Sequence, residues 1–236
     1  MLLQQGPKGD PTPGPLRSLV RRSQTKALDL YLLVGAVTSG GDFSVTEWAT
    51  TWARTVGKYD EAAGPTAVSR AWKVLCDLKL IERRRGEEGK TVITKLREDG
   101  LGAPYTTPSG GEPYFQLPYE YWDKELNESL TLPAKAMLLI TLSLRKERFT
   151  LPQDRVPSWY GISADTAGRG LRELQEKGVL AHVDDEWFAT LKTRTGMASR
   201  PVYSLVAPFA PRGLGATTTA LGSTVEGHSN VQPTAP

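Results

Sequence analysis

Cationic and hydroxyl side chains recur on the outward faces of two predicted helices that lie about 100 residues apart. The first set is Thr66, Ser69, Arg70 and Lys73, and the second set is Ser163, Thr166, Arg169 and Arg172. In the major groove of DNA an Arg can donate two hydrogen bonds to guanine O6 and N7, whereas hydroxyl and other cationic donors contact phosphates. Arg70 and Arg169 are therefore the candidates for base readout. Phosphate contacts are expected from Thr66, Ser69, Lys73, Thr166 and Arg172, and Ser163 is a further DNA-binding candidate.

A second group of cations follows each of these helices in segments with a strand-like pattern. Its members are Arg83, Arg84, Arg85 and Lys90 after the first helix, and Lys192, Arg194 and Arg200 after the second. Such cations can reach the phosphate backbone or the minor groove. The first three arginines also lie close in sequence to Glu82, Glu87 and Glu88, so surface ion pairs are an alternative interpretation.

Both sets belong to a sequence repeat. Residues 67–81 align without a gap on residues 166–180. The matched pairs are Arg70 with Arg169, Trp72 with Leu171, Lys73 with Arg172, Leu75 with Leu174, and Leu80-Ile81 with Val179-Leu180. In each copy an amphipathic helix runs into a β-like pair, as the recognition helix of a winged helix-turn-helix runs into its wing. The predicted fold class is mainly α with small β-wings (α+β), arranged as two tandem winged helix-turn-helix domains.

The elements around the first set predict a helix, a strand, two helices and a two-stranded wing. Thr46 is expected to cap the second helix, whose packing face includes Trp48 and Trp52. Gly64-Pro65 places a proline at the favoured first position of the third helix.

The second unit repeats this order, with Ser163 as the cap of its third helix and Asp165 in the first turn. After that helix the chain is expected to turn at Asp184-Asp185 and again in a basic loop over residues 192–200. Which of these two hairpins is the wing stays open.

Composition divides the chain into five parts. We expect a disordered basic arm at 1–22, a first winged helix domain at 23–97, a linker at 98–113, a second winged helix domain at 114–206 and a disordered tail at 207–236. The arm, linker and tail are rich in Pro, Gly and small residues, and such segments bury too little apolar surface to offset their ordering entropy.

The composition also excludes several classes of site. The formal net charge of +3 is ordinary for a globular protein, and 39% apolar content can fill one large core or two small ones. One cysteine, Cys76, and two histidines, His182 and His228, cannot form an internal disulfide or a zinc site of Cys and His ligands. We therefore expect no metal and no cofactor. Cysteine usage predicts a cytoplasmic location, and no apolar run is long enough to span a membrane.

The repeat also carries a family resemblance. Residues 159–166 (WYGISADT), 170–174 (GLREL) and 132–140 (LPAKAMLLI) resemble a group of actinobacterial tandem winged-helix proteins, and this organisation extends over about 23–206. More loosely, two winged helices in one chain are similar to plasmid replication initiators. The resemblance implies the fold and DNA binding. The elongated segment 58–64 departs from the compact helix-turn-helix pattern, so the resemblance is more specific for the second unit.

The sequence indicates a binding protein rather than an enzyme, because it contains no phosphate-cradling glycine loop, metal-ligand spacing or serine nucleophile motif. The expected partner is double-stranded DNA. The first interpretation is a sequence-specific transcription regulator with two recognition helices in adjacent major grooves. Two alternatives stay open, namely a plasmid or phage replication initiator and a winged-helix protein-interaction module. A homodimer also stays open, and the sequence identifies no effector.

Overall fold

A computed structural model describes residues 2–5, 11–38, 40–57, 63–108, 114–191 and 193–211. These ranges contain helices together with small antiparallel sheets, as the composition and periodicity predict. The helices are α1 (Leu16–Arg21), α2 (Thr25–Val37), α3 (Ala49–Thr55), α4 (Gly64–Asp77), α5 (Glu120–Asp123), α6 (Leu126–Ser129), α7 (Leu132–Leu144), α8 (Val156–Tyr160) and α9 (Ala164–Glu176). The strands are β1 (Gln4–Gln5), β2 (Thr12–Pro13), β3 (Ser44–Glu47), β4 (Ile81–Arg85), β5 (Thr91–Lys95), β6 (Phe149–Thr150), β7 (Leu180–Ala189) and β8 (Met197–Leu205).

The two halves of the chain use the same order of elements. In the first unit, α2 to β5, a helix, a strand and two helices precede a hairpin, and the strand order is β3-β5-β4. In the second unit, α7 to β8, the same order of elements gives a sheet with the order β6-β8-β7. The last strand is central in both sheets, because the first strand of each unit pairs with its free side. The sequence repeat therefore lies within a structural repeat.

The matched positions of the repeat have matching burial. Helices α4 and α9 both turn an apolar face to the core and a polar face to solvent. The buried pairs are Val68 with Ala167, Ala71 with Gly170, Trp72 with Leu171, Leu75 with Leu174, Leu80 with Val179 and Ile81 with Leu180. Apolar residues at helical spacing form one stripe, so the gapless alignment predicts that α4 and α9 turn the same positions to the core.

Both helices end in the same hydrogen-bonded cap. The N–H groups of Leu80 and Val179 donate to the carbonyls of Leu75 and Leu174, at 3.0 and 2.9 Å. The residue before each donor has a positive φ, which is 53° at Lys79 and 67° at Gly178. This geometry is the Schellman motif, whose left-handed residue is usually glycine. The first unit therefore places a lysine where the second has the favoured residue.

We expect Lys79→Gly to raise the free energy of unfolding by about 1 kcal/mol, because glycine adopts a positive φ without a clash at Cβ. Gly178→Ala, at the matching position, should lower it by a similar amount. Urea denaturation of both variants and the parent measures these changes. A loss of stability in Lys79→Gly would show that the side chain of Lys79 contributes more than its backbone strain costs.

Helix α7 is buried on nearly all sides and forms the centre of the second unit. Its buried residues are Leu132, Ala134, Lys135, Ala136, Met137, Leu138, Leu139, Ile140, Thr141 and Leu142. A helix that is apolar all round is typical of a core position. Helix α9 packs on it so closely that a Cβ at Gly170 would lie 2.5 Å from the Pro133 carbonyl oxygen. Glycine at position 170 is therefore part of the packing of α9 on α7.

The prediction of a disordered basic arm over 1–22 is wrong for residues 2–5 and 11–22. Here β1 pairs with β2, α1 follows, and the Leu16 N–H donates to the Leu2 carbonyl at 3.0 Å. The buried leucines of this N-terminal segment are Leu2, Leu3, Leu16 and Leu19. Because α1 contacts α2 and α7, and β2 contacts α8, both units supply the apolar surface that covers these leucines. Residues 1 and 6–10 lie outside the described ranges.

The predicted linker, 98–113, packs on the first unit in its described part, which ends at residue 108. Leu96 forms a β-bridge with Pro104, and the Tyr105 ring lies 4.8 Å from the Phe43 ring. Residues 109–113 lie outside the described ranges. The part that is described is thus a folded extension of the first sheet rather than a free connection.

The predicted tail, 207–236, is described over its first five residues. Phe209 is buried there, and its N–H donates to the Val206 carbonyl at 2.9 Å. The prediction of disorder is therefore wrong for 207–211. The rest of the tail, 212–236, lies outside the described ranges.

Candidate nucleic-acid interface

The outward face of α4 carries the first predicted set in an accessible arrangement. Thr66, Arg70 and Lys73 are exposed, and Ser69 is half-buried beside them. These four positions follow the i, i+3, i+4, i+7 spacing of one helix face. Gly64-Pro65 begins α4 as predicted, with the proline in its first turn. The face is therefore free to meet a ligand along two turns of the helix.

A hydrogen bond joins this helix face to the adjacent hairpin. Arg83 in β4 donates from Nη1 to Ser69 Oγ at 3.0 Å. Lys73 in the same helix instead pairs with Asp77 at 3.1 Å, one turn further on. Both members of that pair are largely exposed, so the pair contributes little energy and leaves Lys73 able to change partners.

The arginines of β4 form an open basic cleft of about 400 Å³ with the start of β5. Its lining residues are Arg83, Arg84, Arg85, Gly89, Lys90 and Thr91. Lys90 pairs with Glu88 at 2.9 Å and lies over the Trp48 ring at 5.3 Å. In the part of the chain that the structure describes, no carboxylate forms an ion pair with Arg70, Arg84 or Arg85. The alternative interpretation, in which Arg83, Arg84 and Arg85 form ion pairs with Glu82, Glu87 and Glu88, is thus not observed among the described residues.

In the second unit the start of α9 is capped as predicted. Ser163 Oγ accepts a hydrogen bond from the Thr166 N–H at 3.1 Å and lies 2.8 Å from Thr166 Oγ1. Arg169 pairs with Asp165 at 3.2 Å, and Arg172 is exposed with no acidic partner among the described residues. The unpaired cation of this helix is therefore Arg172, whereas Arg169 is engaged by Asp165.

The hairpin of the second unit is one long ribbon, so the expectation of a turn at Asp184-Asp185 is wrong. Strand β7 runs through both aspartates, and a β-bulge between His182 and Asp184 takes up the irregularity. A bulge absorbs one extra residue without ending the strand pairing. The chain reverses direction between Ala189, where β7 ends, and Met197, where β8 begins.

Because the hairpin is longer than predicted, the cations that follow α9 do not all lie in a loop. Arg200 lies in β8, where it pairs with Glu186 at 2.9 Å and stacks over the Phe188 ring at 4.7 Å. Arg194 lies exposed in the turn at the tip. Lys192 lies outside the described residues. Of the cations predicted here, Arg200 is thus engaged within the ribbon and Arg194 is accessible.

Trp48 is the residue that sequence reasoning misplaced at this surface. Its side chain is 44% exposed, whereas Trp52 and Trp72 are buried and meet edge-to-face at 5.2 Å. Thr46 is part of β3 rather than a cap, and α3 begins at Ala49, so Trp48 precedes the helix. The helical spacing that assigned Trp48 to the core therefore does not apply to it.

The described residues hold no group of three His, Cys, Asp or Glu side chains placed to bind a metal ion. His182 lies 3.3 Å from Asp185 on the exposed ribbon. Cys76 is half-buried on α4, and burial raises the pKa of its thiol. A raised pKa disfavours the reactive thiolate.

No helix within the described ranges has the length and apolarity needed to cross a membrane. A scan against protein-family models and searches of curated proteins and of solved structures find no match to this chain. A functional proposal for this chain therefore rests on the geometry of α4, β4 and α9.

Proposed function

We propose that this chain is a sequence-specific double-stranded DNA-binding protein, a transcription regulator built from two tandem winged helix-turn-helix units. The observation that carries the proposal is the basic surface of the first unit, formed by the exposed Arg70 of α4 and Arg83, Arg84 and Arg85 of β4. Arg83 joins β4 to α4 by donating to Ser69, and Arg70, Arg84 and Arg85 are exposed and form no ion pair among the described residues. Phosphates would supply the charges that these cations lack.

In this proposal α4 enters the major groove and the hairpin β4/β5 lies against the adjacent backbone. Arg70 reads a base edge, because it is the exposed arginine in the first half of the helix. Arg84 and Arg85 contact phosphates from the basic cleft. Trp48 lies beside that cleft with Lys90 over its ring, so its fluorescence would report binding.

The second unit contributes less charge to the contact in this proposal. Arg172 is the free cation of α9, and Arg169 becomes available when Asp165 releases it. Their ion pair is exposed, and such pairs are worth about 1 kcal/mol or less, so a guanine can displace the carboxylate. The acids of β7, Asp184, Asp185 and Glu186, make the second ribbon a poor phosphate partner.

The test begins with duplexes enriched by the parent protein from a random library, followed by titrations on the enriched and a scrambled duplex. Arg70→Ala should weaken binding to the enriched duplex by about 1–3 kcal/mol, with little change on the scrambled one. Arg85→Ala should weaken both alike and reduce the salt slope by about one, because it removes a phosphate contact. Fluorescence anisotropy at two salt concentrations measures both effects.

Lys124→Ala is the matched control, since it removes the same charge at an exposed position outside the basic surface. It should leave both titrations unchanged. The proposal is contradicted if no duplex is enriched, or if affinity does not depend on salt. If Lys124→Ala and Arg85→Ala lower the affinity equally, the effect of Arg85 comes from the net charge of the protein and not from its position on the basic surface.

A further inference from the structure

The two units share one hydrophobic core, and the N-terminal segment lies between them. The buried cluster runs from Leu2 through both units to Phe209. Pro15 of the segment contacts Gly100 beside the first unit, and Arg17 covers Gly161 in the turn between α8 and α9. Gly161 has a φ of 66° and no space for a side chain under Arg17. One short segment therefore packs closely on both units.

A buried ion pair also crosses from one unit to the other. Lys135 Nζ, in α7, lies 2.6 Å from Asp29 Oδ1, in α2, and it donates to the Asn127 carbonyl at 2.6 Å. The Lys135 side chain is 2% exposed and that of Asp29 is 17% exposed. Burial raises the pKa of the Asp29 carboxyl, and the Lys135 ammonium opposes that rise.

The pair differs from the surrounding apolar contacts in being directional. A buried charge that leaves its partner stays uncompensated, so movement of one unit against the other is costly at this pair. The ammonium is bound on two sides, by a carboxylate of the first unit and a carbonyl of α6. The placement of α2 and α7 in the structure satisfies both bonds.

We propose that Asp29, Lys135 and the N-terminal segment hold the two units at one separation and orientation, so that the protein selects DNA by the distance between its two contacted stretches. The selection of DNA by distance rests on the proposed function. Asp29 and Lys135 are positioning residues, since they touch no base or phosphate. A flexible connection would instead accept a range of distances.

The separation can be measured without DNA by double electron–electron resonance. Spin labels at Glu82→Cys and Glu176→Cys, in a Cys76→Ser background, report the distance between β4 and α9 at exposed positions outside the proposed contact residues. The comparison variant adds Asp29→Leu with Lys135→Met, which replaces the pair by apolar side chains of similar size. Circular dichroism confirms that both proteins are folded.

The expected result is one narrow distance in the parent and a distribution at least twofold broader in the comparison variant. A broad or two-peaked distribution in the parent overturns the proposal. A narrow distribution that is identical in both proteins overturns the role of the ion pair. If the comparison variant does not fold, the spin-labelled protein with Asp29→Glu replaces it. The proposal then requires that its distance distribution be shifted or broader than that of the parent.

A second experiment reads the same geometry through DNA. Inserting about five base pairs between the two protected stretches turns one of them by about half a helical turn. The parent should bind the lengthened duplex at least tenfold more weakly, and the comparison variant should lose at most threefold. Equal binding of both duplexes by the parent overturns selection by distance. Absence of binding to any duplex contradicts the proposed function, whereas the resonance measurement still decides whether the units are held.

Discussion

Asp29→Asn is expected to lower the free energy of unfolding by about 3–5 kcal/mol, because it leaves the Lys135 ammonium buried beside a neutral amide. The amide oxygen at position 29 and the carbonyl of Asn127 remain as acceptors for the ammonium, but neither carries a compensating charge. Urea denaturation followed by circular dichroism measures the change. The loss should exceed that of any other single charge removed in the two units.

Asp77→Asn is the matched control, since it removes the carboxylate of the exposed Lys73–Asp77 pair. It should cost less than about 1 kcal/mol, because exposed ion pairs in water are weak. Asp29→Leu combined with Lys135→Met should recover most of the stability, since apolar residues can replace a buried pair without net loss. An Asp29→Asn variant no less stable than Asp77→Asn would refute the buried pair.

Gly170→Ala is expected to lower the free energy of unfolding by about 2–3 kcal/mol. The added Cβ would lie 2.5 Å from the Pro133 carbonyl oxygen and 2.8 Å from Met137 Cγ. The first of these atoms is backbone at the start of α7, so α9 must move away from the central helix. Alanine has the better helix propensity by about 1 kcal/mol, and the clash outweighs that gain.

Gly168→Ala provides the control for this prediction in the same helix. A Cβ there meets nothing closer than the Gln153 side chain at 3.8 Å, so the variant should gain up to about 1 kcal/mol from helix propensity. Thermal unfolding of the two variants separates packing from propensity. Equal melting temperatures would mean that α9 does not approach α7 as closely as described.

The repeated helices could be predicted because their signals are local. The stripe through Val68, Trp72 and Leu75 has a 3.6-residue period, and a gapless match transfers it to α9. The cap at Ser163 follows equally from residue type and position. The side chains that face outward follow from the same period, which is why both candidate sets lie on the surface.

Two ion pairs of the candidate site could be predicted from the spacing of charges in the sequence. Asp165 and Arg169, like Lys73 and Asp77, are four residues apart on a helix, the spacing at which opposite charges meet. The same spacing separates Arg172 and Glu176, for which the structure shows no ion pair. Spacing therefore identifies candidate pairs and marks Arg70, which has no acid three or four residues away, as free, but it does not distinguish Arg172 from the paired cations.

The N-terminal segment could not be predicted, because its stability depends on residues far away in the chain. Leu16, Leu19 and Val20 have helical spacing, but this pattern spans about one turn and follows a run of prolines and glycines. Their partners are in α2 and α7, and a compositional argument cannot anticipate such long-range burial. The buried pair of Asp29 and Lys135 has the same character, since 106 residues separate its members.

The position of this segment has a consequence for folding during synthesis. Leu16 and Arg17 leave the ribosome early, whereas α7 and Gly161, against which they pack, are translated more than a hundred residues later. At roughly 5–20 residues per second, about 6–23 s pass between the synthesis of these leucines and that of the start of α7. During that time the nascent chain exposes apolar surface, as long-range contacts generally require. The first unit therefore completes its packing only after the second has been made, and we expect ribosome-bound chains that end before α7 to be the most protease-sensitive.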